Sequence, residues 1–360
     1  MANHPQTIDE LRALVRDSEA VHIESSESSS PPLLPNIASI SLSAFNRILE
    51  YQPEEYTITV ETGASVKDVQ ATLAEQGQYL PFDPPFLDAN PTIGDTIASG
   101  CSGPGAYRYG ILRDFIIGLS FIDGYGNRIQ AGGKVVKNAA GFDLPKLMVG
   151  SGHSLGILTQ ATFKVFPKPK ANRSIEFKSD NLDQGIGRLI ALGRSRFTLD
   201  ALDMDSTGAL RIELSGQADA LEARISELES FLDSESQATT FDAWPDSIGL
   251  KKSPASGFLA RVPIAPSSIK RLDQALQERP ATRRYSLGGF VSWIHWTASI
   301  DAFSTLLGDQ SLSGQIASEP SALIGQSNQR PFYDRLKRAL DPQNKFPNLY
   351  PAAKAVGMPR

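Results

Sequence analysis

Glycine is concentrated in one part of the chain. Of its 29 glycines, 14 lie between Gly94 and Gly156, a stretch of 63 residues in a chain of 360. Glycine adopts positive φ and lets a ligand or another backbone come close, so the cluster indicates either many tight turns or loops around a phosphate-bearing cofactor. Neither common nucleotide fingerprint is present: Gly150-Ser-Gly152-His-Ser-Leu155 lacks the third glycine of GxGxxG, and no GxxxxGK[ST] occurs.

Reactive side chains are few. Cys101 is the one cysteine, which excludes a disulfide framework, a four-cysteine zinc site and an iron–sulfur cluster held by this chain alone. A flavin, a nicotinamide or a partner must therefore carry any electrons. His295, close to Trp293 on an alternating segment, is either a half-buried structural histidine or a catalytic one, and we name no catalytic residue. No zinc site is expected, because no HxxH or HExxH spacing occurs among His4, His22, His153 and His295.

Composition and charge narrow the class of protein. With 41% hydrophobic and 21% charged residues the chain is globular, and its length allows two domains. The 35 basic and 40 acidic residues give a net charge of −5, which argues against nucleic acid and anionic membranes as partners. The N-terminal residues show no apolar signal region, and no apolar run reaches the roughly 18–20 residues of a transmembrane segment. We expect a soluble, cytoplasmic protein.

Alternating helix and strand patterns are predicted in the first 80 residues. Thr7 is predicted to cap a helix that runs to Asp17, with Glu10 as its capping-box partner. Ser65 is predicted to cap a second helix that ends at Gly77. The β-branched, alternating segment 56–62 predicts a strand. A helical turn is predicted around Phe45, Ile48 and Leu49.

The rest of the chain divides at a proline pair. Residues 81–156 predict short apolar strands separated by glycine turns, and 155–166 alternates before Pro167-Lys-Pro169-Lys170, a predicted domain boundary. Residues 171–330 predict a compact α+β domain without a glycine-rich motif of its own. Segment 331–340 is predicted to be a helix that begins with proline and is stopped by Asp341-Pro342.

Several segments together resemble a known family. They are TIGDTIASGCSGPGAYRYG (92–110), RDFIIGLSFIDGYG (113–126), and KNAAGFDLPKL and GSGHSLGILT within 134–169, with LPFDPP upstream and LKRALDPQNKFPNLYP near the C-terminus. These segments resemble the FAD-binding domain of the vanillyl-alcohol-oxidase/PCMH flavoprotein superfamily and, more narrowly, the FAD-binding accessory subunits of bacterial glycolate oxidases (glycolate dehydrogenases). The likeness is close over about 42–169 and loose over 331–351.

The resemblance implies an α+β architecture and an FAD site. It implies a PCMH-type FAD-binding domain over 1–170, made of two α+β subdomains (about 1–70 and 71–170), then an α+β cap-like domain over 171–330. Residues 331–360 would be a C-terminal helix and tail that return to the FAD domain. Loop amides would hold the pyrophosphate. The implied FAD-binding residues are Thr92, Ile93, Gly94, Ser99, Gly100, Ser102, Gly103, Tyr109, Gly110, Gly156, Ile157 and Leu158.

Some residues of these segments have an ordinary structural alternative. Tyr109 either closes the flavin loop or packs beneath it as a core aromatic. Lys137, Asn138 and Asp143 belong to a motif of the resembled family, but a solvated lysine and a capping asparagine are alternatives. Cys101, inside the presumed flavin loop, is a small buried thiol or, alternatively, a covalent flavin attachment.

Three places depart from the family pattern. The glycine-rich loop that holds the pyrophosphate in the family corresponds here to residues 24–32, ESSESSSPP, in which Glu24 and Glu27 would repel a dianion. Asp95 stands where the family has the second glycine of TIGG, and His153 stands in a glycine position of GS.GTLG. These departures leave open whether FAD is retained.

The resemblance implies an accessory FAD-binding subunit of a glycolate (2-hydroxy acid) oxidising dehydrogenase complex. A catalytic flavin subunit and an iron–sulfur subunit would be its partners, and electrons would pass to them. Two alternatives stay open: a degenerate subunit that has lost the flavin and serves as a scaffold, and a free-standing FAD-dependent hydroxy-acid or alcohol oxidoreductase.

Overall fold

A computed structural model provides the structure of the chain. It describes residues 2–24, 37–133, 143–240, 257–279, 281–317 and 321–350. The α-helices within these ranges are α1 (Ile8–Asp17), α2 (Val66–Glu75), α3 (Ile93–Ser99), α4 (Ala106–Tyr109), α5 (Leu112–Phe115), α6 (Leu144–Met148), α7 (Leu182–Gly193), α8 (Ala218–Leu232), α9 (Ile269–Leu276), α10 (Ile300–Asp309) and α11 (Arg330–Leu340). Short 3-10 helices span Pro53–Glu55, Leu87–Ala89 and Pro266–Ser268.

The strands fall on both sides of the predicted boundary. They are β1 (Ala20–Ile23), β2 (Ile37–Ile40), β3 (Ile48–Gln52), β4 (Thr57–Glu61), β5 (Gln78–Tyr79), β6 (Ile116–Ile122), β7 (Arg128–Gly132), β8 (Ile157–Lys164), β9 (Phe166–Pro167), β10 (Ala171–Phe177), β11 (Ala201–Asp205), β12 (Leu210–Gly216), β13 (Gln237–Thr239), β14 (Phe258–Pro263), β15 (Ala281–Ser286), β16 (Val291–Trp296), β17 (Ser313–Ile316) and β18 (Leu323–Gly325).

The described residues form two compact units. The first takes its residues from 1–101, 111–168 and 328–360, and the second from 102–110 and 169–327. Segment 102–110, which carries α4, thus belongs with the second unit although both of its chain neighbours belong to the first.

The first unit is built on a five-stranded antiparallel sheet. Its strand order is β3-β4-β8-β6-β7, so strands from either side of residue 70 share one sheet. The central strand β8 is apolar at four of its eight positions and is buried on both faces. A separate parallel pair, β1 with β2, packs with α1 around a core that includes Leu11, Ile40 and Phe346. The last of these residues brings the C-terminal segment into the core of the first unit.

The second unit is built on a nine-stranded sheet. Its order is β13-β10-β12-β11-β15-β16-β14-β17-β18. One continuous apolar core contains Leu189 of α7, Leu228 of α8, Leu272 of α9 and Phe303 of α10. Helices therefore cover the apolar side chains of a sheet, as expected for an α+β unit.

Most of the predicted elements are present, with one clear difference. Thr7 and Ser65 are the N-caps of α1 and α2, accepting from the amides of Glu10 and Asp68. The helical turn predicted around Phe45, Ile48 and Leu49 is wrong, since residues 48–52 form edge strand β3, paired with β4. Within the described ranges, no helix has both the length and the apolar character needed to cross a bilayer.

Candidate cofactor site

Helix α3 begins with a reciprocal cap. The Asp95 amide donates to Thr92 Oγ1 at 3.0 Å, and the Thr92 amide donates to Asp95 Oδ2 at 3.1 Å. The two side chains satisfy two amides that the first helical turn leaves unpaired. Asp95, which departs from the family glycine, is therefore used within the protein, and the residue is only 7% exposed.

The C-terminal end of α3 is fastened to a glycine loop. The amides of Gly150 and Gly152 donate to the carbonyls of Ile97 and Ala98 at 2.9 and 2.8 Å. Gly100 has a φ of 61°, and a Cβ added there would lie 2.9 Å from the Gly150 nitrogen. Because only glycine allows that approach, the motif glycines here hold two protein backbones against each other.

The N-terminal end of α3 is tied to β8 through Thr62. The Gly94 amide donates to the Thr62 carbonyl at 2.7 Å, and Thr62 Oγ1 donates to the Leu158 carbonyl at 2.7 Å. A Cβ at Gly94 would lie 3.1 Å from Thr62 O, and one at Gly156 would lie 2.7 Å from the Phe121 ring. Segments 92–94 and 156–158 are thus brought together by a residue that the sequence did not single out.

Ser151 offers a hydroxyl at the centre of this arrangement. Its side chain is buried, and its Oγ has no hydrogen-bond partner among the described residues. The Ser151 carbonyl accepts from both the amide and the hydroxyl of Ser154, at 2.9 and 2.6 Å. The loop is therefore closed on itself, and the Ser151 hydroxyl is available to bond a polar group other than the described residues.

His153 takes the backbone conformation of the glycine it replaces. Its φ is 57°, in the left-handed region where histidine is tolerated better than most side chains. The ring is buried, and its Nε2 lies 4.0 Å from Asp95 Oδ1. Two departures from the family pattern are therefore neighbours in space.

The third departure lies mostly outside the described residues. Of segment 24–32 only Glu24 is described, and its Oε1 accepts from Ser39 Oγ at 2.7 Å. The carboxylate of Glu24 is thus held by a hydroxyl of the neighbouring strand β2. Glu27 and the prolines of that segment lie outside the described residues, and so do Lys137 and Asn138.

The predicted FAD-binding residues divide between the two units. Thr92, Ile93, Gly94, Ser99, Gly100, Gly156, Ile157 and Leu158 lie in the first unit, around α3 and the start of β8. Ser102, Gly103, Tyr109 and Gly110 lie in the second unit. Their contacts with FAD stay a prediction.

Segment 102–110 is anchored within the second unit by an ion pair. Arg108 donates to Asp200 and, at 3.2 Å, to Ser215 Oγ, and its guanidinium lies 4.9 Å from the centre of the Tyr109 ring. Tyr109 is only partly buried. The arginine beside it, which sequence reasoning passed over, supplies the charge that fixes this segment.

Two further residues of the motifs have local roles. Asp143 caps α6, accepting from the Lys146 amide at 3.3 Å, and its carboxylate pairs with the Lys146 ammonium at 2.9 Å. Cys101 is buried at 2% exposure, and its Sγ lies 3.8 Å from the Ser99 carbonyl. Across the part of the chain that is described, no three His, Cys, Asp or Glu side chains are close enough to hold a metal ion.

Comparison with known families identifies the first part of the chain. Residues 3–132 match the family described as "FAD binding domain". This segment is an FAD binding domain. The chain is similar to glycolate oxidase subunit GlcE of Escherichia coli (strain K12), at 41% identity over 128 residues, which is 36% of this chain and 37% of the relative. It is also similar to glycolate oxidase subunit GlcD of Bacillus subtilis (strain 168), at 36% identity over 161 residues, covering 44% of this chain and 34% of the relative.

A solved structure shows the fold over nearly the whole chain. The structure of p-cresol methylhydroxylase with substrate bound superposes with a TM-score of 0.70 over 96% of this chain and 87% of that chain, at 14% identity. The predicted PCMH-type fold is therefore confirmed. The sequence matches span only about a third of the length of the two glycolate oxidase subunits.

The described residues fit FAD, the cofactor of this domain. Ser151 keeps a buried hydroxyl available, and the carboxylates of Asp95 and Glu24 each accept a hydrogen bond from within the protein. FAD bound here would supply a two-electron acceptor. The loop that carries Ser151 would contribute a hydroxyl donor, and the predicted cofactor is confirmed.

Proposed function

We propose that this protein is the FAD-binding accessory subunit of a complex that oxidises glycolate or another 2-hydroxy acid. A catalytic flavin subunit would oxidise the hydroxy acid to the 2-oxo acid, and an iron–sulfur subunit would receive the electrons. The role of this chain would be to hold FAD and to pass electrons to those partners.

One observation carries the proposal. Residues 3–132 match an FAD binding domain, and the chain is 41% identical over 128 residues to a protein named as a glycolate oxidase subunit. A second relative with the same activity in its name is similar over 161 residues. The residues of the site do not identify a substrate, so the proposed substrate class rests on these two relatives.

The residues of the chain are consistent with a supporting role. A single cysteine cannot hold an iron–sulfur cluster, so electrons that leave the flavin need an acceptor outside this chain. The α3 and Gly150–Gly152 region supplies backbone packing, a capped helix and the Ser151 hydroxyl. These groups would bind and orient FAD, and we assign no general base among them.

The first test is the visible spectrum of the purified full-length chain. The proposal expects a yellow protein that carries close to one FAD per chain, or a colourless one that takes up added FAD to that ratio. A colourless chain that refuses FAD would contradict the proposal and favour the flavin-free scaffold. Acid precipitation gives a control, because a colourless pellet shows that FAD is not covalently attached to Cys101.

The second test separates an accessory subunit from a free-standing oxidoreductase. The chain alone and the chain co-expressed with candidate flavin and iron–sulfur subunits are assayed on a panel of 2-hydroxy acids with an artificial electron acceptor. The proposal expects turnover only in the co-expressed sample. Equal turnover by the isolated chain would identify a free-standing enzyme instead.

A further inference from the structure

Helix α11 presents two polar side chains to the loop that carries Ser151. Tyr333 and Lys337 are four residues apart, so they lie on the same face of the helix, and both are buried. The Lys337 ammonium donates to the Ser154 carbonyl at 2.7 Å. The Tyr333 hydroxyl lies close to the Ser154 side chain. Lys337 therefore holds residue 154 by its backbone carbonyl, and Tyr333 lies beside its side chain.

These bonds continue directly to Ser151. The Leu349 amide donates to the Tyr333 hydroxyl at 3.1 Å, and the Ser154 hydroxyl donates to the Ser151 carbonyl at 2.6 Å. The C-terminal segment thus contacts Ser154, and Ser154 in turn donates to the backbone carbonyl of Ser151.

The Lys337 ammonium has further hydrogen-bond partners besides Ser154. Its ammonium also donates to Asp341 Oδ2 at 2.7 Å and to the carbonyls of Phe346 and Pro347 at 2.8 and 3.1 Å. Burial lowers the pKa of Lys337, and the hydrogen bond and charge of Asp341 counteract that shift. An ammonium in a ring of oxygens has a fixed position, because each displacement loses a charge-assisted hydrogen bond.

We infer that Lys337 and Tyr333 are positioning residues for the FAD loop, fixing segment Ser151–Ser154 so that the Ser151 hydroxyl faces the cofactor. This inference rests on the proposed binding of FAD at that loop. It assigns a cofactor role to a helix more than 170 residues away along the chain, which neither the glycine motifs nor the match over residues 3–132 includes. Neither residue is proposed to touch the flavin.

A second buried lysine of the same segment provides a matched control. Lys345 donates to the carbonyls of Val15 and Arg16, at 2.6 and 2.9 Å, at the end of α1. It is as buried as Lys337, at 6% exposure each, and it also bonds backbone carbonyls. Lys345→Met therefore removes a comparable buried ammonium from the same tail without touching the Ser154 loop.

The test compares Lys337→Met, Tyr333→Phe and Lys345→Met in the full-length chain. Three quantities are measured: the Kd for FAD by titration of the apoprotein, the visible circular dichroism of bound flavin, and amide hydrogen exchange across residues 150–156. Thermal unfolding of each variant gives the loss of stability. Tyr333→Phe removes only a hydroxyl, so it keeps the test informative if Lys337→Met does not fold.

We expect Lys337→Met to raise the Kd for FAD by about tenfold or more, and Tyr333→Phe by a smaller factor. Both should alter the flavin spectrum and speed exchange at Gly150, Gly152 and Ser154, whose amides are bonded in this loop. Lys345→Met should lower thermal stability while leaving the Kd, the spectrum and the loop exchange unchanged.

The inference is overturned if Lys337→Met and Tyr333→Phe bind FAD like the wild type, or if Lys345→Met weakens binding as much as they do. A wild-type chain that takes up no FAD overturns the proposed function instead. In that case amide hydrogen exchange alone tests whether α11 positions the loop. Unchanged exchange across residues 150–156 in both variants shows that it does not.

Discussion

Asp95 and His153 lie against each other, with 4.0 Å between Asp95 Oδ1 and His153 Nε2. Each stands where the family pattern resembled by this chain has glycine, one at the start of α3 and the other in the loop bonded to the end of that helix. Both side chains are buried. The two departures therefore form one local arrangement, in which each side chain occupies space beside the other.

A double-mutant cycle tests that coupling. Asp95→Ala and His153→Ala are each expected to lower the free energy of unfolding, and the double variant to lose less than their sum, by about 0.5–3 kcal/mol. Asp95→Ala should lower the free energy of unfolding more, because it removes the hydrogen bond to the Thr92 amide as well as the contact with His153. Urea unfolding followed by far-ultraviolet circular dichroism measures the four proteins. Losses that add to within about 0.5 kcal/mol would show that the residues are independent.

Gly100→Ala should disturb the cofactor site, and Gly77→Ala should not. Both glycines have positive φ, 61° and 64°, so both alanines incur a backbone cost of about 1 kcal/mol. Only at position 100 does the added Cβ meet another backbone, at 2.9 Å from the Gly150 nitrogen, while nothing lies within 4 Å at position 77. FAD titration should show weaker binding for Gly100→Ala alone. Equal affinities would show that the junction between α3 and the 150–152 loop does not affect the site.

Asp203→Ala should strongly destabilise the second unit. The Asp203 carboxylate accepts from Arg284 Nε at 2.8 Å, Ser286 Oγ at 2.8 Å and the Leu287 amide at 3.1 Å, and both charged side chains are almost fully buried. Removing one partner leaves the other charge uncompensated, which costs about 3–5 kcal/mol.

The control for that prediction is an exposed pair in the same unit. Lys270 and Asp183 are 2.7 Å apart but more than half exposed, so Lys270→Ala should cost under about 1 kcal/mol. Tryptophan fluorescence reports on this unit, because the buried Trp293 and Trp296 of β16 belong to it. Similar urea midpoints for Asp203→Ala and Lys270→Ala would contradict the assignment.

His22 should make the stability of the first unit depend on pH. Burial lowers the pKa of His22 below its usual 6.5, and the nearby Glu24 charge counteracts part of that shift. The unfolded chain then binds the proton more readily than the folded chain, so stability is retained above pH 6.5 and falls as the pH drops below it. His22→Gln should flatten this slope between about pH 7 and 5, while the exposed His4→Gln should not. Parallel slopes for wild type and His22→Gln would exclude His22 as the cause.

Local patterns in the sequence were sufficient for the helices that are capped by their own neighbours. Thr7 and Ser65 were correctly predicted as N-caps because a cap and its amide partner lie three residues apart. Residues 48–52 were missed because their strand pairing is with β4 and because Ile48 and Leu49, with Phe45, have a spacing that also suits a helix. A pattern of a few apolar residues does not distinguish these outcomes without the partner strand.

The candidate site was only partly predictable for a similar reason. The glycine motifs located α3 and the 150–156 loop, and the resemblance supplied the cofactor. Nothing local marks Thr62 as the link between Gly94 and Leu158, or Lys337 as the partner of Ser154, 183 residues away in the chain. Such contacts arise from tertiary packing, and a single sequence records them only as ordinary polar residues.

The divided chain of the first unit has a consequence for its synthesis. Residues 328–350 belong to that unit, yet they follow the whole of segment 169–327. At about 5–20 residues per second, a ribosome needs roughly 8–30 s to make that segment. The hydrogen bond between Val15 and Lys345, 330 residues downstream, cannot form during this time. During this interval the nascent first unit exposes the apolar surface that Phe346 later covers. Chaperone binding to nascent chains should therefore persist until Lys345 and Phe346, which follow α11, have emerged and completed the core of the first unit.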